Sequence, residues 1–453
     1  MKKIAEIFRT AVTTILIVVY ISNVFIQNPA LNYITYIAVG ILIFLSFPYI
    51  DIPNRIVSAI LFAAATIMLF LSGADITVYL KGIGKNSGLL VLFILVPVLG
   101  IPFRYDKYQD ALQEFYDRRI KTRSGFYLFS SFLSHFLGSL INVASLPIIK
   151  EITAASEDKR NRNLLMKAVI RGNTVGLLWS PSFLSIALIV DMMNLSWNEI
   201  FPIGFSLAVI IILTGWGLEF MKEGSSFSSS LIRKGISNSQ QGPSGYLLEL
   251  IAVSAVFFSA VILLNQKTPY TVLTIVPILS IVFPLLWAAV FKRMHFYTAN
   301  VREYFSRKLL ESKNQLVLFG IAGYLGVAIQ NTSFSGYIVK LFDNNLLTGQ
   351  FFGGFFLVLV ISASAMVGLH PLVSVTTLIS ALTPTPAGLD PLFIAMCLLV
   401  GYTAAVIISP FSATVLITSG LYDNLPFKTG FGENWLFCLI SSVVSVIFIS
   451  VLL

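Results

Sequence analysis

The sequence predicts an all-α polytopic membrane protein with about 11 transmembrane helices and two re-entrant hairpins, in two inverted-topology repeats. Three observations predict it. Hydrophobic residues make up 56% of the 453 positions and charged residues only 11%, against about 25% in soluble domains. Mean hydropathy is +0.86. The apolar residues fall in runs that approach the roughly 20 residues a bilayer-crossing helix needs, and the charges collect between the runs.

The spans follow in order at 11–27, 31–49, 56–72, 87–102, 164–191, 199–220, 246–264, 270–291, 315–331, 390–420 and 433–453. The first run, after Met1-Lys2-Lys3, has the flanks of a signal peptide. No small-x-small cleavage site follows it and another span begins near Leu31, so a transmembrane helix is expected. Cys397 and Cys438 lie inside apolar runs, where packing rather than a disulfide or metal is expected. The stretch 224–242 is rich in Ser and Gly and reads as part of a flexible cytoplasmic linker over 221–245.

Charge decides the path of two further apolar stretches, 125–149 and 350–383. With the N-terminus in the cytoplasm, the loops 103–124, 150–163, 221–245 and 292–313 must all be cytoplasmic and basic, and they are basic. This holds only if 125–149 enters and leaves on the same face. Between Leu341 and Pro426 there is no Lys or Arg, so both ends of 350–383 are expected outside. Of the 30 Lys and Arg, 26 then lie on the cytoplasmic side or at its membrane turns. The net charge of +9 is accounted for by topology, and no nucleic-acid partner is expected. The lipid bilayer of the cytoplasmic membrane is the expected surrounding, with the C-terminus outside.

The halves echo one another. LINVASLPIIKEI (140–152) aligns with AMVGLHPLVSVTT (365–377), and VGLLWSPSFLSIALI (175–189) with AAVIISPFSATVLI (404–417). The first repeat is therefore set at 31–220 and the second at 246–453, with 1–30 as an extra N-terminal helix. Surface helices are expected in the connectors 103–124 and 332–349.

Breaks in a membrane helix free backbone groups that must line a cavity or be buried, and inverted repeats with broken helices are a signature of secondary transporters. Four breaks are expected. The first hairpin tip holds Asn142, Ala144 and Ser145; the second holds Gly368 and His370. The broken span 164–191 holds Asn173, Thr174, Ser180, Pro181 and Ser182. Its counterpart 390–420 holds Thr403, Ser409, Pro410, Ser412 and Thr414. A single Ser or Pro in such a helix is more often a kink or a packing contact; repetition of Ser-Pro at matched places favours a substrate or ion site. His370 reads equally as an anion or proton carrier and as a turn residue bonded to backbone, and His135 as structural. Arg171 either reaches the surface or meets an anion. No metal-ligand spacing, phosphate loop or nucleophile motif is present in the connecting loops.

Hairpin, broken helix and span, repeated in inverted fashion, resembles the ion transporter superfamily, which includes divalent anion:sodium symporters, citrate carriers, arsenite exporters and the large subunits of tripartite carboxylate transporters. The resemblance covers roughly 31–453 in organisation. In the symporters each tip carries Ser-Asn-Thr, small residues and then Leu-Pro or Ile-Pro. Here the first tip matches in part, with Asn142, Ala144, Ser145 and Leu146-Pro147, and the second replaces the Asn with His370-Pro371. The resemblance implies a scaffold part, a mobile part moving as an elevator, and commonly a homodimer. A transporter of a small carboxylate-like anion is expected, coupled to sodium or protons, with no cofactor beyond sodium as coupling ion. The alternatives are an exporter or lipid-linked substrate flippase on the same scaffold. A membrane-embedded lipid-processing enzyme is further off, since the short external loops lack its acidic or His/Arg clusters.

Overall fold

The computed structural model describes residues 2–153, 159–226, 245–309, 313–332, 350–382 and 389–453. The surface helix expected in 332–349, and the linker beyond Ser226, lie outside the described residues. Among the described residues ten helical stretches are long and apolar enough to cross a membrane. The chain is an all-α polytopic membrane protein.

The first half begins with α1 (Lys2–Ile26), α2 (Pro29–Ser46) and α3 (Ile52–Leu71). Asn28 and Asp51 cap α2 and α3 through their side chains, ahead of prolines in the first turn, where a missing N–H costs nothing. A short α4 (Ile76–Gly84) precedes α5 (Ser87–Leu99) and was not legible in the sequence. Then come α6 (Asp106–Arg119), α7 (Arg123–Ile141), α8 (Ser145–Thr153), α9 (Lys159–Thr174), α10 (Leu184–Met193) and α11 (Trp197–Glu223). α6 falls within 103–124, where the sequence predicts a surface helix.

The second half holds α12 (Gly245–Lys267), α13 (Val272–Val290), α14 (Met294–Glu303), α15 (Lys313–Gln330), α16 (Gln350–Met366), α17 (Pro371–Ala381), α18 (Pro391–Ile408), α19 (Ala413–Leu421) and α20 (Glu433–Leu452). α14 occupies a stretch the sequence leaves as a loop. Large apolar side chains such as Phe44, Phe70 and Leu248 stand exposed on α2, α3 and α12, as contact with hydrocarbon requires. α5 and α18 are buried almost all round and form the interior.

Arg123, at the start of α7, donates to Asn161 Oδ1 at 3.2 Å, at the start of α9, so the chain between them ends where it began. α7 and α8 pack on each other about the turn at 142–144. The start of α16 meets Phe393 and Cys397 at the start of α18, while Ala381 at the end of α17 packs with Ala328 and Leu69 at the ends of α15 and α3.

Cross-chain pairs are consistent with the alternation. Asp51–Asn314 (2.5 Å), Arg123–Glu223, Arg162–Asp423 (3.1 Å) and Arg293–Glu249 (2.8 Å) each join two stretches expected on the cytoplasmic side. Ser196–Asn265 (3.4 Å) and the Phe25–Tyr270 ring pair each join two stretches expected outside. Each pair joins residues that the charge-based alternation puts on one side. Cysteines introduced at Asp423 and at Lys267 are expected to react with an impermeant maleimide from opposite sides of the membrane. Labelling of both from one side would overturn the alternation.

Candidate functional site

Each broken helix is interrupted at a Ser-Pro pair. α9 runs to Thr174, tightens into a 3-10 turn at Val175–Leu178, and α10 restarts at Leu184. α18 stops at Ile408 and α19 restarts at Ala413. Proline lacks the N–H that would continue the ladder and crowds the preceding turn, so carbonyls are freed there.

The two breaks are closed by matching bonds. Ser180 Oγ donates to the Ser139 carbonyl at 2.5 Å, in the last turn of α7, and accepts from the Ser182 N–H. Ser409 Oγ donates to the Ala365 carbonyl at 2.7 Å, in the last turn of α16, and accepts from the Phe411 N–H. The freed carbonyls of Leu177 and Val406 each accept from a serine hydroxyl further along, Ser185 at 3.0 Å and Ser412 at 2.6 Å. These serines are braces. They satisfy carbonyls that would cost several kcal/mol each if left bare in an apolar medium, on the order of magnitude for unsatisfied groups there.

The first turn is strained and stitched. Asn142 sits at φ 55° and ψ −141°, a region that costs a non-glycine residue roughly 1–3 kcal/mol. Its carbonyl accepts from Ser145 Oγ (2.8 Å) and Asn173 Nδ2 (3.2 Å), and Asn173 Nδ2 also reaches Ser145 Oγ at 2.9 Å. Asn142 Oδ1 accepts from the Val143 N–H, and its Nδ2 makes no hydrogen bond among the described residues. In the second turn Gly368 takes the positive φ of 92°. His370 caps α17, its Nδ1 accepting from the Leu372 N–H at 3.2 Å, so a neutral ring carries its proton on Nε2. That ring lies edge-on to Phe319 and Tyr402, and Nε2 makes no hydrogen bond among the described residues.

The turns and breaks meet across the halves. The first turn contacts α19, α17 contacts α10, and α18 contacts the 3-10 turn at 175–178. The starts of α8 and α10 adjoin the first turn and break, and those of α17 and α19 the second, so each half carries two positive dipole ends there. Of the remaining expected residues, Ser182 and Thr414 are buried without a hydrogen bond among the described residues, so their hydroxyls are unspent. Thr174 and Thr403 donate back to Ile170 and Leu399 of their own helices. Pro181 is buried, and Ala144 and Pro410 are half-buried.

A charge cluster beside the break escaped sequence reasoning. Arg171, 2% exposed, donates to Glu219 Oε1 (3.0 Å), Asn434 Oδ1 (2.8 Å) and Tyr127 OH (3.2 Å), and lies over the Phe437 ring. Lys167 Nζ reaches Glu219 Oε2 at 2.5 Å. Arg171 therefore neither reaches the surface nor stands ready for an anion: its charge is already met. His135 accepts from Trp179 Nε1 at 3.3 Å, as befits the structural role expected of it.

Paired Ser-Pro breaks and a lipid-facing perimeter define the class, a polytopic membrane protein with broken helices in both halves. No family model matches the chain, and no curated protein matches it in sequence. Among solved structures it is similar to the YdaH transporter of Alcanivorax borkumensis, at 13% identity and a TM-score of 0.49, over 82% of this chain and 86% of that one. It is also similar to MtrF of Neisseria gonorrhoeae, described with a class of antimetabolite efflux pumps, at 14% identity and a TM-score of 0.48, over 85% of this chain and 83% of that one. No residue's role is carried over from either.

Proposed function

We propose that the chain is a secondary active transporter of a small, carboxylate-like anion, coupled to sodium or protons. The observation that supports this most is that each half has a turn and a helix break side by side, and that at the two turns Asn142 Nδ2 and His370 Nε2 have no partner among the described residues. N–H donors and positive dipole ends favour an anion. No acidic side chain belongs to either turn or either Ser-Pro break. The carbonyl and hydroxyl oxygens around the turns suit sodium. Elevator-type movement, a homodimer and residence in the cytoplasmic membrane, N-terminus inside and C-terminus outside, complete the reading.

Uptake into proteoliposomes, screened across carboxylates with sodium and proton gradients imposed separately, tests it. Asn142→Ala and His370→Ala together are expected to lower uptake about tenfold or more, each removing a donor with no compensating partner, and to lower the melting temperature modestly through the lost cap of α17 and the strained turn. Wild-type uptake by that double variant would sink the site. Absence of gradient-driven uptake for every carboxylate would sink the anion reading.

A further inference from the structure

Away from the breaks, a cavity of about 180 Å³ lies between α1, α5, α13 and α14. Ile17, Val98, Ile281, Val301 and Phe305 line it with hydrocarbon. Thr14 also lines it, but its hydroxyl donates back to the Thr10 carbonyl at 2.9 Å and offers nothing polar. The one further polar lining group is Tyr297. It is only 7% exposed, and its phenol makes no hydrogen bond among the described residues. A tyrosine hydroxyl at an apolar cavity ordinarily finds a partner, so this one points to a ligand with an acceptor oxygen.

The surroundings say which ligand. The cavity lies toward the face that carries the basic loops, where α5 ends and α14 lies. Val301 is followed by the exposed Arg302, and Arg104 lies close enough to Tyr304 for its charge to act on that phenol. Neither guanidinium makes a hydrogen bond or ion pair among the described residues. An apolar slot with an unpartnered hydroxyl, next to stretches that carry two arginines, matches the chemistry of an acyl chain, an ester and a phosphate. α1, which belongs to neither repeat in the sequence alignment, supplies one wall. We propose that this cavity holds one acyl chain of an anionic phospholipid, with Tyr297 at its ester region and Arg302 and Arg104 at its phosphate. Basic pockets between transmembrane helices bind anionic headgroups by this chemistry.

Native mass spectrometry of the full chain, delipidated and then titrated with phosphatidylglycerol or phosphatidylcholine, tests the proposal. One phosphatidylglycerol per chain is expected to be retained, with about thirtyfold preference over phosphatidylcholine and about fivefold lost per arginine replaced, the weight of one basic residue near a charged surface. Val301→Trp fills the slot and should abolish retention of either lipid. Arg302→Gln changes only an exposed side chain and should lower the preference without lowering the melting temperature. Should Val301→Trp fail to fold, the Arg302→Gln and Arg104→Gln pair decides. Equal retention of both lipids, or an unchanged preference in that pair, would overturn the proposal. Because the readout is lipid mass, failure here is distinguishable from failure of the transport reading.

Discussion

Glu219→Ala is expected to destabilise the protein by about 3–5 kcal/mol, the cost of stripping the partner from a buried charge. Glu219 is 1% exposed and holds two cations at once, Arg171 through Oε1 and Lys167 through Oε2. Alanine would leave both in an apolar interior. Lys167 can relax, since its side chain is already 10% exposed and its stem can carry the ammonium toward the basic face. Arg171 cannot: the Phe437 ring, Tyr127 and Asn434 enclose it, and Gly215 is small because a Cβ there would lie 2.3 Å from the Tyr127 hydroxyl. The size of the effect therefore comes from Arg171. Arg171→Ala in the Glu219→Ala background should restore part of the loss, which is the non-additivity expected of residues in one network. Melting of the purified protein by intrinsic fluorescence measures both. A Glu219→Ala protein that melts like wild type would show that the cluster is solvated.

This cluster also marks where sequence reasoning reached its limit. Charge at the ends of apolar runs was informative because a bilayer excludes ions, so the basic loops predict an alternation of sides and, through it, the two hairpins. Ser-Pro in matched positions was informative because proline interrupts a helix wherever it falls. Glu219 carried no such signal. It sits at the end of a span, where a carboxylate is ordinarily interfacial, and its partners Lys167 and Arg171 are 52 and 48 residues away. The hydroxyls at the breaks show a second limit. A serine beside a freed carbonyl can hold an ion or hold the carbonyl, and only the distances from Ser180 to Ser139 and from Ser409 to Ala365 assign these two to the second task. Asn142, Ser182, His370 and Thr414 are the candidates that keep a side-chain polar atom without a hydrogen bond among the described residues. Helices α4 and α14 were missed for a plainer reason: at 9 and 10 residues they are too short to cross a membrane and carry no span signal.

Gly172→Val and Gly204→Val should be the next most damaging changes, each costing about 1–3 kcal/mol or more as an overpacking that no side chain can yield to. A Cβ on Gly172 would lie 2.1 Å from the Ser131 carbonyl oxygen of α7, and one on Gly204 would lie 2.1 Å from the Leu178 carbonyl oxygen at the first break. In both cases the obstacle is backbone, so whole helices must part. The second half has counterparts that are less tight. Gly401 in α18 would meet Val358 Cα of α16 at 3.1 Å and the flexible end of Ile361 at 2.8 Å, and Gly430 would meet the Ile408 carbonyl oxygen at 2.6 Å, beside the second break. The expected order of loss is Gly172 and Gly204 first, then Gly430, then Gly401. Gly217 supplies the control: it lies in α11 with nothing within 4 Å, so Gly217→Ala should stabilise by up to about 1 kcal/mol through helix propensity alone. An order set by helix propensity, with all glycine substitutions alike, would refute the packing account. The predicted order instead follows from one contact used twice. In each half the folded-back helix presses its backbone against a glycine of the broken helix, and the next helix presses a glycine against the carbonyl that the break sets free. A valine at either place would move the turn and the break relative to each other, and with them the distance between Asn142 and Asn173 on which the first turn depends.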